Sequence, residues 1–248
     1  MVPRRDDDFT GKDWKLVWAD EFNYHGLPDP KKWDYEVGKV RNNELQYYTK
    51  ARPENARVEG GPLIITGRRE SFEGSEYTAA SVTTQGKAGW KYGRFVVRAK
   101  LPKTLGSWPA IWMLGEDITK VGWPRCGEID IMEHVAHNPG VIHGTIHQPG
   151  VGEPHTSKGG TLKVPDYGDA FHVYPVEWYP DRLDFFVDDR KYFTFPNEGA
   201  GKWTFDKKFY LLLNLAIGGS WGGQKGVDAA GWPQEYRIDY VRVYQKPV

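Results

Sequence analysis

The chain has 248 residues, with 33 basic and 33 acidic side chains in balance. A neutral chain without a basic run offers no electrostatic grip on nucleic acid or on an anionic membrane, so an uncharged partner is expected. No apolar run approaches the ~18 residues of a membrane span, and a lone cysteine, Cys126, excludes an intrachain disulfide.

Residues 1–12 are polar, with three consecutive aspartates at 6–8, and are expected to be loose. From Trp14 onward short β-prone segments alternate with Gly, Pro, Asn and Asp turns, the spacing of sandwiches and barrels. The clearest predicted strands are 62–68, 77–84, 92–101, 110–114, 126–135, 141–147, 171–178, 182–188, 208–217 and 236–244. In 93–101, Phe95, Val97, Ala99 and Leu101 share one face, while Arg94, Arg98 and Lys100 lie on the other, expected to be solvated or to line a cleft. Asp188-Asp189 reads as a hairpin turn. No long amphipathic helix, repeat or linker is visible. Residues 13–248 are therefore predicted to form one domain, an all-β antiparallel sandwich of jelly-roll type.

Gly127-Glu-Ile-Asp-Ile-Met-Glu-His134 organises the functional reading. On a strand, alternation puts Glu128 and Asp130 on one face but sends Glu133 to the other, where an unpaired carboxylate is costly. A β-bulge near Ile131-Met132 would return Glu133 to the acidic face and tuck Met132 into the core. Two glutamates flanking an aspartate suit glycoside hydrolysis with retention, in which one carboxylate attacks and the other donates and recovers a proton. The carboxyl groups must then lean together to roughly 5 to 5.5 Å, although strand rise leaves their Cα atoms on the order of 13 Å apart. A curved sheet permits that, and mutual repulsion would raise the pKa of the acid. A solvated acidic strand or a calcium or magnesium site competes with this reading.

The flanks favour the sugar. Trp108 and Trp112 share a face if alternation holds past Pro109, and would border the cleft or pack in the core. Trp123 should cap the acidic strand. His143 and His147 share a face of the next strand and could reach the carboxylates or serve as structural histidines. Asn42-Asn-Glu-Leu-Gln-Tyr-Tyr-Thr49 is dense in hydrogen-bonding groups beside aromatics, as a saccharide subsite or a polar loop would be. Aromatics form 15% of the chain, enough to supply both a core and sugar-stacking faces.

Trp123-Pro-Arg-Cys-Gly-Glu-Ile-Asp-Ile-Met-Glu133 resembles the signature of glycoside hydrolase family sixteen in its laminarinase variant, the endo-β-1,3-glucanases. Trp18-Ala-Asp-Glu-Phe22, Asn43-Glu-Leu-Gln-Tyr-Tyr-Thr49, Trp108-Pro-Ala-Ile-Trp-Met-Leu114, His143-Gly-Thr-Ile-His147 and Asp239-Tyr-Val-Arg-Val-Tyr244 resemble family segments in family order. The resemblance implies a jelly roll with a concave cleft, Glu128 as nucleophile, Glu133 as acid/base and Asp130 as the residue orienting the nucleophile. It places Asn43, Trp112, Trp123 and His147, with Trp108 and Trp221, among the sugar-binding positions. It also implies a structural Ca²⁺ on the convex side, held by backbone carbonyls and a terminal-strand aspartate, with Glu21, Gly61 and Asp239 at the matching places and no cofactor in catalysis. The chain departs from the pattern at Ala80-Ser81-Val82, where a sugar-contacting arginine is usual, and at Gly60-Gly-Pro62. A β-glucan partner, a monomeric state and secretion, with the signal peptide outside this numbering, follow as expectations.

Other classes leave weaker traces. Gly218-Gly-Ser-Trp-Gly222 fits G-x-S-x-G, but no helix is expected after it, as a nucleophile elbow requires. His134 and His137 do not form the helical zinc pair H-E-x-x-H. A non-catalytic glucan-binding module is the principal alternative, opposed by the retention of all three acids.

Overall fold

The computed structural model describes residues 13–152, 154–199 and 201–247, so the segment expected to be loose at 1–12 lies outside the described residues. Period-two alternation decides which face each strand buries. In Gly93–Lys100 the side chains of Phe95, Val97 and Ala99, continued by Leu101, enter the core. The opposite face is buried at Arg94 and half-buried at Arg98 and Lys100. Arg94 forms a buried ion pair with Glu177, and Arg98 Nη1 donates to Asp239 Oδ2 at 2.5 Å.

Two sheets result. The larger runs in the order Arg190–Pro196, Arg182–Val187, His172–Trp178, Gly93–Lys100, Gln234–Gln245, Leu63–Phe72, Ser75–Ala79 and Gln46–Tyr48, with Lys15–Asp20 and Ala56–Val58 added beside it. The smaller runs Thr156–Lys163, Val141–Gln148, Glu128–Glu133, Ser107–Gly115, Phe209–Ile217, Ser81–Thr83 and Asp34–Tyr35. Pairing is antiparallel apart from Gln46–Tyr48 against Ser75–Ala79. This is the jelly-roll sandwich that the strand pattern predicts.

The sheets close on one apolar layer. Ile111, Met113, Ile129 and Leu213 from the smaller sheet belong to one cluster with Phe95, Val97, Val176 and Val241 from the larger. Each such side chain removed from water contributes roughly 1.5–3 kcal/mol. Trp178 closes its own polar account, since Nε1 donates to the Phe205 carbonyl at 3.0 Å.

The predicted strand 77–84 is in fact two strands in different sheets, Ser75–Ala79 and Ser81–Thr83, with buried Ala80 at the crossing. Every residue from Tyr77 to Thr84 is buried, so no alternation marks the break. Thr156–Lys163 and Arg190–Pro196 extend the edges beyond the expected set, and the Asp188-Asp189 turn joins Arg182–Val187 to Arg190–Pro196 as the hairpin signal predicts. Two helical turns, Ile118–Val121 and Gly219–Gly222, are the only helices among the described residues.

Candidate active site

The strand Glu128–Glu133 carries the predicted irregularity. Against Ser107–Gly115, Asp130 pairs with Trp112 and Met132 with Ile111, which leaves Ile131 as the extra residue. Ile131 and Met132 are both wholly buried, while Glu128, Asp130 and Glu133 all face a cleft of about 930 Å³. The bulge therefore resolves the parity conflict: the apolar pair goes inward and the third acid rejoins the first two.

Neighbouring strands complete the wall by the same alternation. Ser107–Gly115 sends Ile111 and Met113 to the core, and Trp108, Ala110, Trp112 and Leu114 to the cleft. Val141–Gln148 contributes His143, Thr145 and His147. Trp123 and Trp221 enter from loop and helical turn.

Each glutamate is held by a tryptophan. Trp123 Nε1 donates to Glu128 Oε2 at 2.7 Å, and Trp108 Nε1 donates to Glu133 Oε1 at 3.0 Å. Trp221 packs edge-on against both Trp108 and His143, at 5.4 and 4.9 Å between ring centroids. His147 Nε2 lies 3.1 Å from Asp130 Oδ2 and 3.9 Å from Glu128 Oε1, and its Nδ1 is 2.8 Å from His155 Nε2.

The electrostatics separate the two glutamates' environments. Burial, and then the charge of Glu128, raise Glu133 to about 7 against the opposing donation from Trp108. A carboxyl at that value is largely protonated just below neutrality and can act as general acid. Asp130 is pushed well above the ordinary carboxyl range by burial, then by the charges of Glu128 and Glu133. Burial lowers His147, and His155 adds to this against the pull of Glu128. The imidazole is thus neutral near pH 7.

The remaining predicted residues fall less centrally. Asn43 is exposed and lines a smaller depression of about 480 Å³ beside the cleft; it is Asn42 that borders the main cleft. At the calcium positions, Arg242 holds Glu21 through two bonds of 2.7 and 2.9 Å, Arg98 engages Asp239, and Gly61 adopts φ of 113°. Calcium needs several free oxygen ligands. The resemblance implies backbone carbonyls there together with a terminal-strand aspartate, and of the Asp239 carboxylate Arg98 engages Oδ2.

Several contributors carry little local sequence signal. Asn214 Oδ1 accepts from Trp112 Nε1 at 2.7 Å, while its Nδ2 donates to Tyr48 Oη at 2.9 Å. Arg41 lies 4.8 Å over the Trp112 ring and pairs with Glu36, which also accepts from Ser81 Oγ at 2.6 Å. An Asn in an apolar run was the single hint of the first. Phe209–Ile217 does lead into one helical turn, contrary to the expectation for Gly218–Gly222, but Ser220 is exposed and does not line the cleft. His134 is structural: buried, it accepts the Gly140 N–H at 3.1 Å.

A jelly roll whose inner wall sets a proton-bearing carboxyl beside a second carboxylate, in an aromatic trough, defines a glycoside hydrolase. The model of the glycosyl hydrolases family 16 matches residues 37–242, and the chain belongs to that family. It is 53% identical to a β-glucanase of Rhodothermus marinus over 94% of this chain and 85% of the relative. The X-ray structure of the laminarinase from Rhodothermus marinus superposes with a TM-score of 0.90 at 52% identity, covering 95% of this chain and 98% of that one. SCLam, a non-specific endo-β-1,3(4)-glucanase, gives 0.89 at 50% identity over 95% and 92%.

Proposed function

We propose that the protein is an endo-acting β-1,3-glucanase that cleaves laminarin-type β-glucans with retention of configuration and takes mixed-linkage β-1,3-1,4-glucan as a second substrate. The observation that carries this is the bulged strand that brings Glu128 and Glu133 to one cleft wall, where burial raises the Glu133 carboxyl. In the first displacement Glu133 gives its proton to the glycosidic oxygen while Glu128 attacks the anomeric carbon, and the leaving chain departs from a covalent glycosyl-enzyme. Glu133, now ionised, takes a proton from water, which attacks the anomeric carbon and frees Glu128. The Trp123 N–H fixes one oxygen of Glu128, leaving the other directed toward Asp130 and His147.

Trp108, Trp112, Trp123 and Trp221 supply the apolar faces and N–H groups that a sugar chain needs, with His147 and the Asn42–Asn43 loop as polar partners. An open trough binding a neutral polymer suits cleavage within the chain by a monomer. A polymeric substrate too large to cross a membrane also places the enzyme outside the cell. No metal ion has a part in these steps. A pure binding module has no use for a carboxyl poised at neutral pH, which favours turnover over binding alone.

The test is a proton NMR time course on laminarin and on lichenan. The β-anomer is expected as the first reducing end from both, and the α-anomer would contradict retention. Release of oligosaccharides of several lengths is expected early; glucose alone would contradict endo action.

A further inference from the structure

We propose that Glu128, Asp130 and His147 also form a site for a divalent transition ion of the zinc class, which blocks the cleft when bound. Among the described residues this is the one group of three metal-ligating side chains whose donor atoms come close, all within 4.8 Å of one another. Tetrahedral zinc, with bonds of about 2.0–2.2 Å, spaces its donors about 3.3 Å apart. His147 Nε2 and Asp130 Oδ2 are already 3.1 Å apart, and Glu128 Oε1 at 3.9 Å from the imidazole has only a small movement to make.

Asp130 and Glu128 share a hydrogen bond, and the donor atoms still have capacity left. Asp130 is 2% exposed, yet its Oδ2 has no hydrogen-bond partner. A buried carboxylate oxygen left without a donor is costly and calls for a cation or a proton. Trp123 occupies Glu128 Oε2, so Oε1 is the oxygen turned toward the imidazole. His155 Nε2 sits 2.8 Å from His147 Nδ1, and the two rings lie edge to edge, 5.0 Å between centroids and 12° from coplanar. With His147 donating Nδ1–H to His155, its Nε2 lone pair faces the two carboxylates, the outer-shell arrangement that orients a metal-binding histidine. The fourth position opens on the cleft, where a water completes the tetrahedron. An imidazole nitrogen in the set selects zinc, copper or nickel over calcium and magnesium.

Binding of the ion is independent of the proposed catalytic roles; only the blockade rests on them. The experiment is calorimetric titration of chelator-stripped protein with zinc chloride in a non-coordinating buffer, beside inhibition of laminarin hydrolysis. One ion per chain in the micromolar range is expected, competitive with substrate, while calcium chloride gives no heat of binding. His147→Gln should weaken binding at least a hundredfold and His155→Gln about tenfold; Asp130→Asn provides a second ligand variant. Cobalt(II) should give the intense visible bands of a tetrahedral site in the wild type and lose them in both ligand variants. No saturable binding below millimolar zinc, or equal binding by wild type and both ligand variants, would overturn the site. Tight binding that leaves hydrolysis untouched would overturn the blockade and count against Glu128 as nucleophile, with the site itself intact.

Discussion

Trp108 donates its indole N–H to Glu133 at 3.0 Å, so the group proposed to move the proton is steadied by a neighbour on the adjacent strand. A donor stabilises the charged carboxylate and holds its pKa down, in opposition to burial. Trp108→Phe keeps an aromatic ring at the site and removes the donor. The alkaline limb of the kcat/KM profile, set by Glu133 near 7, should move to higher pH. At the optimum, kcat/KM should fall by no more than about tenfold, the equivalent of one hydrogen bond of about 1 kcal/mol. A limb that stays in place would separate Trp108 from the titration of Glu133.

Glu133 also bears on stability. Its folded value of about 7 exceeds the ordinary 4.5, so the native state binds the proton more tightly than the unfolded chain. Stability is then greatest below pH 4.5 as far as this group is concerned, and is lost as pH rises toward and through 7. Glu133→Gln removes that loss. At pH 8 the variant should be more stable by roughly 2–3 kcal/mol while kcat falls by about 10²–10⁴-fold. The Tm difference from wild type should shrink at pH 5. An unchanged Tm at pH 8 would mean that the carboxyl is not held in an unfavourable environment.

The polar layer beneath the cleft floor should be the most fragile element outside the core. Asn214 is buried and satisfies Trp112 Nε1 and Tyr48 Oη together. Asn214→Leu leaves Trp112 Nε1 unpaired, at about 1–3 kcal/mol, while Tyr48 Oη keeps its donation to Glu44. A chain of this size loses about 2–4 °C per kcal/mol, so Tm should drop by about 2–12 °C in a thermal scan, with a larger KM because Trp112 is no longer fixed. A drop under 2 °C would show that the network is not a shared support.

Much of this was legible from local pattern because local pattern is what strands obey. The bulge was readable because alternation fails between Asp130 and Glu133, and a buried Met132 with a cleft-facing Glu133 allows one repair. The aromatic wall of Trp108 and Trp112 followed from the same parity. Other parts depend on contacts that no window of sequence contains. His155 reaches His147 from the Gly-rich stretch beside Thr156–Lys163, which has none of the apolar alternation of a strand. The Asn214–Tyr48 bond joins residues 166 positions apart. Asn42 and Asn43 both adopt left-handed backbone, at φ of 56° and 54°, so period two could not decide which of them meets the cleft.

The assignment of roles within the acidic strand is tested most directly by trapping. A 2-deoxy-2-fluoro β-laminaribiosyl fluoride should glycosylate the attacking carboxylate with loss of fluoride, forming a glycosyl-enzyme that turns over slowly enough for peptide mass spectrometry. The glycosyl group is expected on Glu128, in the wild type and in Trp108→Phe alike. Label on Glu133 would reverse the two roles, and cleavage of laminarin by an active enzyme that accumulates no adduct on either glutamate would contradict the double displacement.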